Sequence, residues 1–185
     1  MDHLRRYRWI VLVLVFAITP PVSALAQQGG FSPEDIEAID RAVVLVNTFR
    51  ESGGRVSRGS GSGVVIDPNG LILTAEHVAA RSTRLEVILR TGEVYPATVV
   101  GTDPVFDAAL LRIQTARPLP AAALGTSSLM LPGDSVVAFG RAPRRQAGPT
   151  TGALLAFDVD ARPGVPNLRT SAAAWPGDSG GALVN

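Results

Sequence analysis

The stretch Gly177-Asp178-Ser179-Gly180-Gly181 sets a serine hydroxyl among glycines. A hydroxyl is a poor nucleophile unless a base takes its proton and something stabilises the oxyanion that follows. Glycines around it let the backbone turn tightly, so that neighbouring N–H groups can converge on one point. Gly177-x-Ser179-x-Gly181 formally fits the nucleophile elbow of one hydrolase fold, which places its acid and then its histidine after the serine. None of the six residues after Ser179 is Asp, Glu or His. The other order is His, Asp, Ser, and the sequence supplies it. His77 stands in Thr74-Ala75-Glu76-His77-Val78, and an acid follows in Asp103-Pro104-Val105-Phe106-Asp107-Ala108-Ala109-Leu110-Leu111. In such a set the imidazole is general base to the hydroxyl and the carboxylate orients the imidazole. Asp103 lies close enough to rival Asp107. Gly133-Asp134-Ser135 repeats the tripeptide, but a β-branched strand and no second glycine follow, so it reads as a turn.

The elements that must position these groups are short strands. With 46% hydrophobic and 18% charged residues among 185, the chain is globular rather than disordered and long enough for one domain or two small lobes. Gly 19 and Pro 14 point to a turn-rich, mostly β chain, and 5% aromatics leave the core to Val, Leu, Ile and Ala. The absence of Cys excludes disulfide scaffolds, thiol catalysis and Cys-based zinc sites. A net charge of +1 is too small a bias for a nucleic-acid surface.

Arg5, Arg6 and Arg8 precede an apolar run from Trp9 to Ile18, then Pro20 and Pro21, then Ala24-Leu25-Ala26. That is the pattern of a signal peptide over residues 1–26 with Gln27 as the mature start. The run falls short of the roughly 20 residues of a spanning helix, and the alternative is an uncleaved anchor over Trp9–Ala26. Cleavage predicts an exported protein, periplasmic or secreted, with no stable membrane span. Losing Asp2, Arg5, Arg6 and Arg8 shifts the balance from 17 basic and 16 acidic residues to 14 and 15. Losing His3 leaves His77 as the single histidine, which excludes a multi-histidine metal site; no metal or cofactor is expected.

Residues 27–41 carry a short helix, with Ser32 as cap, Pro33 in the first turn and Ile36, Ile39 and Val43 at helical spacing. A first β unit is expected over 42–114, a linker over 115–124 and a second β unit over 125–185. Strands are predicted at 42–49, 64–66, 71–74, 85–89, 94–100, 108–113, 135–139, 152–157 and 168–171. Glu51 to Gly63 reads as a mobile polar loop, and its Gly59-Ser60-Gly61-Ser62-Gly63 as the entrance to a strand rather than a phosphate cradle, lacking Lys.

With Gly61-Ser62-Gly63-Val64-Val65-Ile66-Asp67 and Gly133 to Gly140, these motifs make residues 61–185 resemble the trypsin-like serine proteases of the HtrA/Deg (DegP-like) family. The resemblance implies an all-β, trypsin-like double β-barrel with the site in the cleft between barrels. It implies a serine endopeptidase acting on polypeptides, with Ser179 as nucleophile, His77 as general base and then acid, and Asp107, rather than Asp103, as orienting acid. The backbone N–H groups of Gly177 and Ser179 would bind the oxyanion. Ala173 and Ala174 would wall the primary pocket and favour an aliphatic side chain, and Trp175 with Pro176 would either narrow the cleft or pack. The family implies homotrimers. Its members continue past the serine with strands that complete the second barrel, and with PDZ domains. The expectation is therefore an incomplete second barrel and impaired activity. A catalytically silent binding or chaperone-like module is the alternative function, and an esterase a third.

Overall fold

The computed structural model describes residues 31–141, 148–158 and 167–185. The leader-like run, the Ala24-Leu25-Ala26 site and Gln27 lie outside the described residues. Among the described residues no helix is long and apolar enough to cross a membrane.

Helix α1 (Pro33–Ala42) starts at the predicted cap. Ser32 Oγ accepts from the Asp35 N–H at 3.1 Å, and the Asp35 carboxylate accepts from the Ser32 N–H at 3.0 Å, closing a reciprocal capping box. The Ser32 hydroxyl, donating at 2.7 Å, together with its N–H holds the Asp35 carboxyl below the usual carboxylate range. The chain passes directly from α1 into β1 (Val43–Ser52), which pairs antiparallel with β2 (Arg55–Asp67) from Val43↔Val64 to Ser52↔Arg55.

This hairpin replaces the predicted 51–63 loop. Gly53 and Gly54 both have positive φ, 56° and 74°, which a two-residue turn compatible with strand twist requires. The outer half of β2 is exposed residue after residue, so no hydrophobic alternation marks it. Main-chain pairing to β1 carries it instead.

Strands β3 (Leu71–Ala75), β4 (Arg84–Ile88), β5 (Val94–Asp103) and β6 (Ala108–Ile113) complete a closed barrel in the order β1-β2-β3-β6-β5-β4. The period-2 alternation of β6 turns Ala109, Leu111 and Ile113 inward against Val44, Val46, Val65, Ile72 and Val87. Burying each of the larger aliphatic side chains contributes about 1.5–3 kcal/mol. A single helical turn, α2 (Glu76–Ala79), follows β3.

Residues 115–124 form neither strand nor helix, yet they are tied to the barrel. Leu119 is buried in its core, and the Leu119 and Ala122 N–H groups donate to the Pro68 and Val65 carbonyls at 3.0 and 2.9 Å. Beyond them β7 (Ser135–Phe139), β8 (Thr150–Asp158), β9 (Asn167–Thr170) and β10 (Ala182–Val184) make a four-stranded sheet in the order β10-β7-β8-β9. The three-residue β10 was too short to signal itself in sequence. On one face of β7, Val136 packs with Met130, Leu154 and Ala172. On the other, Val137 and Phe139 meet Val43, Ala182 and the α1 residues Ile36 and Ile39.

Candidate active site

His77 lies in α2, immediately past the end of β3, which pairs with β6 up to Ala75↔Ala108. That pairing sets Asp107, the residue before β6, beside the start of α2. Asp107 binds there three times. Its carbonyl accepts from the Glu76 N–H at 3.0 Å, Oδ1 accepts from the His77 N–H at 2.9 Å, and Oδ2 lies 2.8 Å from His77 Nδ1. Asp107 has φ 56°, in the left-handed region that Asp tolerates better than most residues. The His77 side chain is 56% exposed and that of Asp107 21%, so the pair sits at a surface with the carboxylate on the inner side. An ionised carboxylate only accepts, so in the neutral imidazole this contact favours the tautomer with the proton on Nδ1 and the lone pair on Nε2.

The rival acid is occupied elsewhere. Asp103 Oδ1 accepts from the Val105 and Phe106 N–H groups at 2.9 and 3.1 Å and shapes the loop leading to Asp107. Gly133-Asp134-Ser135 is a turn, with Gly133 at φ 100° and the Asp134 N–H donating to the Leu131 carbonyl at 3.0 Å.

Ser179 stands in a tight turn between β9 and β10. The Trp175 carbonyl accepts from the Asp178 N–H at 2.9 Å, the Asp178 carbonyl from the Gly181 N–H at 2.8 Å, and Gly177 and Gly180 take φ 99° and 83°. Ser179 is exposed and shares with His77 a cavity of about 170 Å³. The other walls come from Val78 and from Thr48, Arg50, Ser57, Arg58, Gly59 and Ser60 of the β1–β2 hairpin. Ser57, Arg58, Gly59 and Ser60 fall within the stretch expected to be a loop, where the alternating glycines and serines from Gly59 were the one available signal. Ala173 and Ala174 are exposed on the approach to the turn and do not line this cavity, and the Ala173 carbonyl accepts from Thr150 Oγ1 at 2.6 Å. Trp175 is half exposed.

The turn is docked on the first barrel at close range. A Cβ on Gly180 would lie 2.3 Å from the Ser62 carbonyl oxygen and 2.4 Å from Thr74 Oγ1. Gly180→Ala is therefore expected to cost at least about 2 kcal/mol, from the left-handed φ and from overlap with rigid strand backbone. Urea denaturation checks this, and an unchanged midpoint would contradict it.

A family model described as trypsin-like peptidase domain matches residues 61–185. Over 182 residues the chain is 37% identical to "Serine protease HTRA2, mitochondrial" of Bos taurus, covering 94% of this chain and 40% of that one. It is 39% identical over 187 residues to the protein of the same name from Drosophila pseudoobscura pseudoobscura, covering 91% and 44%. "Serine protease HTRA1B" of Danio rerio is 35% identical over 170 residues, covering 88% and 36%. The chain thus spans less than half the length of these relatives. Closed six-stranded barrel, second sheet and matched residues agree: the chain belongs to the trypsin-like peptidase family, among the HtrA serine proteases.

Proposed function

We propose that this chain is the catalytic part of an exported serine endopeptidase that cleaves unfolded polypeptides through an acyl-enzyme. Ser179 Oγ attacks the scissile carbonyl carbon while His77 Nε2 takes its proton. His77 then returns that proton to the leaving amine, and a water attacks the acyl carbon by the same route. Asp107 holds the Nδ1–H tautomer and stabilises the imidazolium. The Gly177 and Ser179 N–H groups receive the oxyanion, each such donor typically contributing about 3 kcal/mol to the transition state. The observation that carries this reading is the two-point clamp of Asp107 on His77, at 2.9 and 2.8 Å, with Ser179 in the same cavity. The names of the relatives support peptide bonds as substrate, and Arg5 to Ala26 supports export. Ala173 and Ala174, small and uncharged beside the nucleophile turn, favour an aliphatic residue before the scissile bond.

Fluorophosphonate labelling tests the whole reading. The protein recovered from outside the cytoplasm is expected to begin at Gln27 and to carry one label, on Ser179. His77→Ala is expected to abolish the label, and a phosphonate with an aliphatic P1 group is expected to react faster than one with a basic group. An unlabelled, folded wild type would refute the endopeptidase and favour the silent binding module.

A further inference from the structure

Ser62 is fully buried, at 0% exposure, in a β2 segment that continues through Gly63 into the apolar core residues Val64 and Val65. A hydroxyl there is costly unless it is hydrogen-bonded. Ser62 makes four hydrogen bonds, two through its hydroxyl and two through its main chain. Its N–H donates to the Ser179 carbonyl at 2.8 Å, and its Oγ–H donates to the Gly177 carbonyl at 2.8 Å. Its Oγ accepts from the Arg141 N–H at 2.8 Å, and its carbonyl accepts from Thr74 Oγ1 at 2.6 Å.

The two outward bonds fall on either side of the nucleophile. The Gly177 carbonyl belongs to the peptide before Asp178, whose N–H is already held by the Trp175 carbonyl at 2.9 Å. The Ser179 carbonyl belongs to the peptide after the nucleophile. With both planes pinned, the Asp178–Ser179 peptide between them, which carries the Ser179 N–H, has little freedom left. A hydroxyl has one proton to donate. The Arg141 N–H takes up an acceptor position on Oγ, so that proton is directed at Gly177. Arg141 is itself anchored, its guanidinium donating to the Val43 and Asp40 carbonyls at 3.1 and 2.5 Å and pairing with the Asp40 carboxylate at 3.0 Å. On the other side Thr74 lies three residues before His77 on the strand that ends at α2.

We infer that Ser62 is a positioning residue for catalysis: it clamps the peptide after Ser179 and the Gly177–Asp178 peptide one residue before it, and so fixes the nucleophile turn against the strand that carries the His77 end of the site. This rests on the endopeptidase reading above. Removing the hydroxyl loosens the Gly177–Asp178 peptide at its carbonyl end while its N–H stays on the Trp175 carbonyl, and the resulting tilt misaligns the Gly177 and Ser179 N–H groups on either side of it without touching substrate-binding surfaces.

The test compares wild type, Ser62→Ala and Ser62→Cys with a fluorogenic peptide, well below each variant's melting temperature and per folded molecule. Ser62→Ala is expected to lower kcat about 10- to 100-fold, somewhat less than removal of a whole oxyanion donor, with KM within about twofold. Affinity for a peptide boronate, which needs the tetrahedral geometry, falls in parallel with kcat/KM. Ser62→Cys, a weaker donor of similar shape, falls in between and carries the test alone if the Ala variant does not fold. A kcat per folded molecule within about threefold of wild type would overturn the inference, as would an equal loss in KM and boronate affinity. A purely structural role would lower the melting temperature and leave those ratios unmoved. A wild type that takes no fluorophosphonate label overturns the endopeptidase reading and this inference together, whereas a labelled wild type with an equally reactive Ser62→Ala overturns this inference only.

Discussion

Ser179→Ala is expected to lower peptide hydrolysis by about 10⁶-fold with the fold unchanged, the size of loss seen when a triad serine protease loses its nucleophile. The substitution removes one atom, Oγ, from an exposed residue. What holds the turn in place at this position is the Ser179 carbonyl, which accepts from the Ser62 N–H at 2.8 Å, and alanine keeps that carbonyl. The N–H groups of Gly177 and Ser179 also survive, so some catalysis above the uncatalysed rate remains. Measuring kcat on a fluorogenic peptide together with the urea midpoint separates the two effects. A variant within about tenfold of wild-type kcat would place the nucleophile elsewhere.

Asp107→Asn is expected to cost about 10⁴-fold in kcat, again with little change in stability. Asparagine shares aspartate's tolerance of left-handed backbone, so φ 56° and the carbonyl bond to Glu76 should persist. Its Oδ1 can still accept from the His77 N–H. Its amide, however, presents a donor where Oδ2 accepted from Nδ1 at 2.8 Å. The imidazole is then driven to the tautomer protonated on Nε2, which cannot take the serine proton. Fluorophosphonate labelling should slow in proportion. Asp103→Asn is the control: the Asp103 carboxylate accepts from the Val105 and Phe106 N–H groups of the loop, so its effect on kcat should be small. Equal losses in the two variants would defeat the assignment of Asp107.

Much of the barrel was legible in the residues. Alternation in 108–113 marked β6 to the residue, Ser32-Pro33-Glu34-Asp35 marked the helix start, and Asp67-Pro68-Asn69-Gly70 marked a turn that forms with Gly70 at φ 88°. The outer β1–β2 hairpin was not legible, because it extends beyond the barrel with its outer residues exposed and depends on main-chain pairing to which side-chain patterns are blind. In sequence Ser62 belongs to a glycine-serine run and to the Gly61–Asp67 motif, and neither marks it as a brace. Nothing local distinguishes a serine that will bond residues 115 and 117 positions away.

The order His, Asp, Ser and the glycines around the last of them follow from sequence alone, because a nucleophilic hydroxyl demands particular residue types nearby and particular backbone freedom. The family pattern already prefers Asp107 to Asp103; what brings its carboxylate to the imidazole is tertiary structure. Asp103 and Asp107 are equivalent in chemistry and four positions apart, and only the pairing of Ala75 with Ala108 carries the second to α2. The bracing of the turn that carries Ser179 was decided there too. Contacts across more than a hundred residues depend on how closely two sheets approach, and that distance is set by the small residues Gly61, Ser62 and Gly180 only once both sheets have formed.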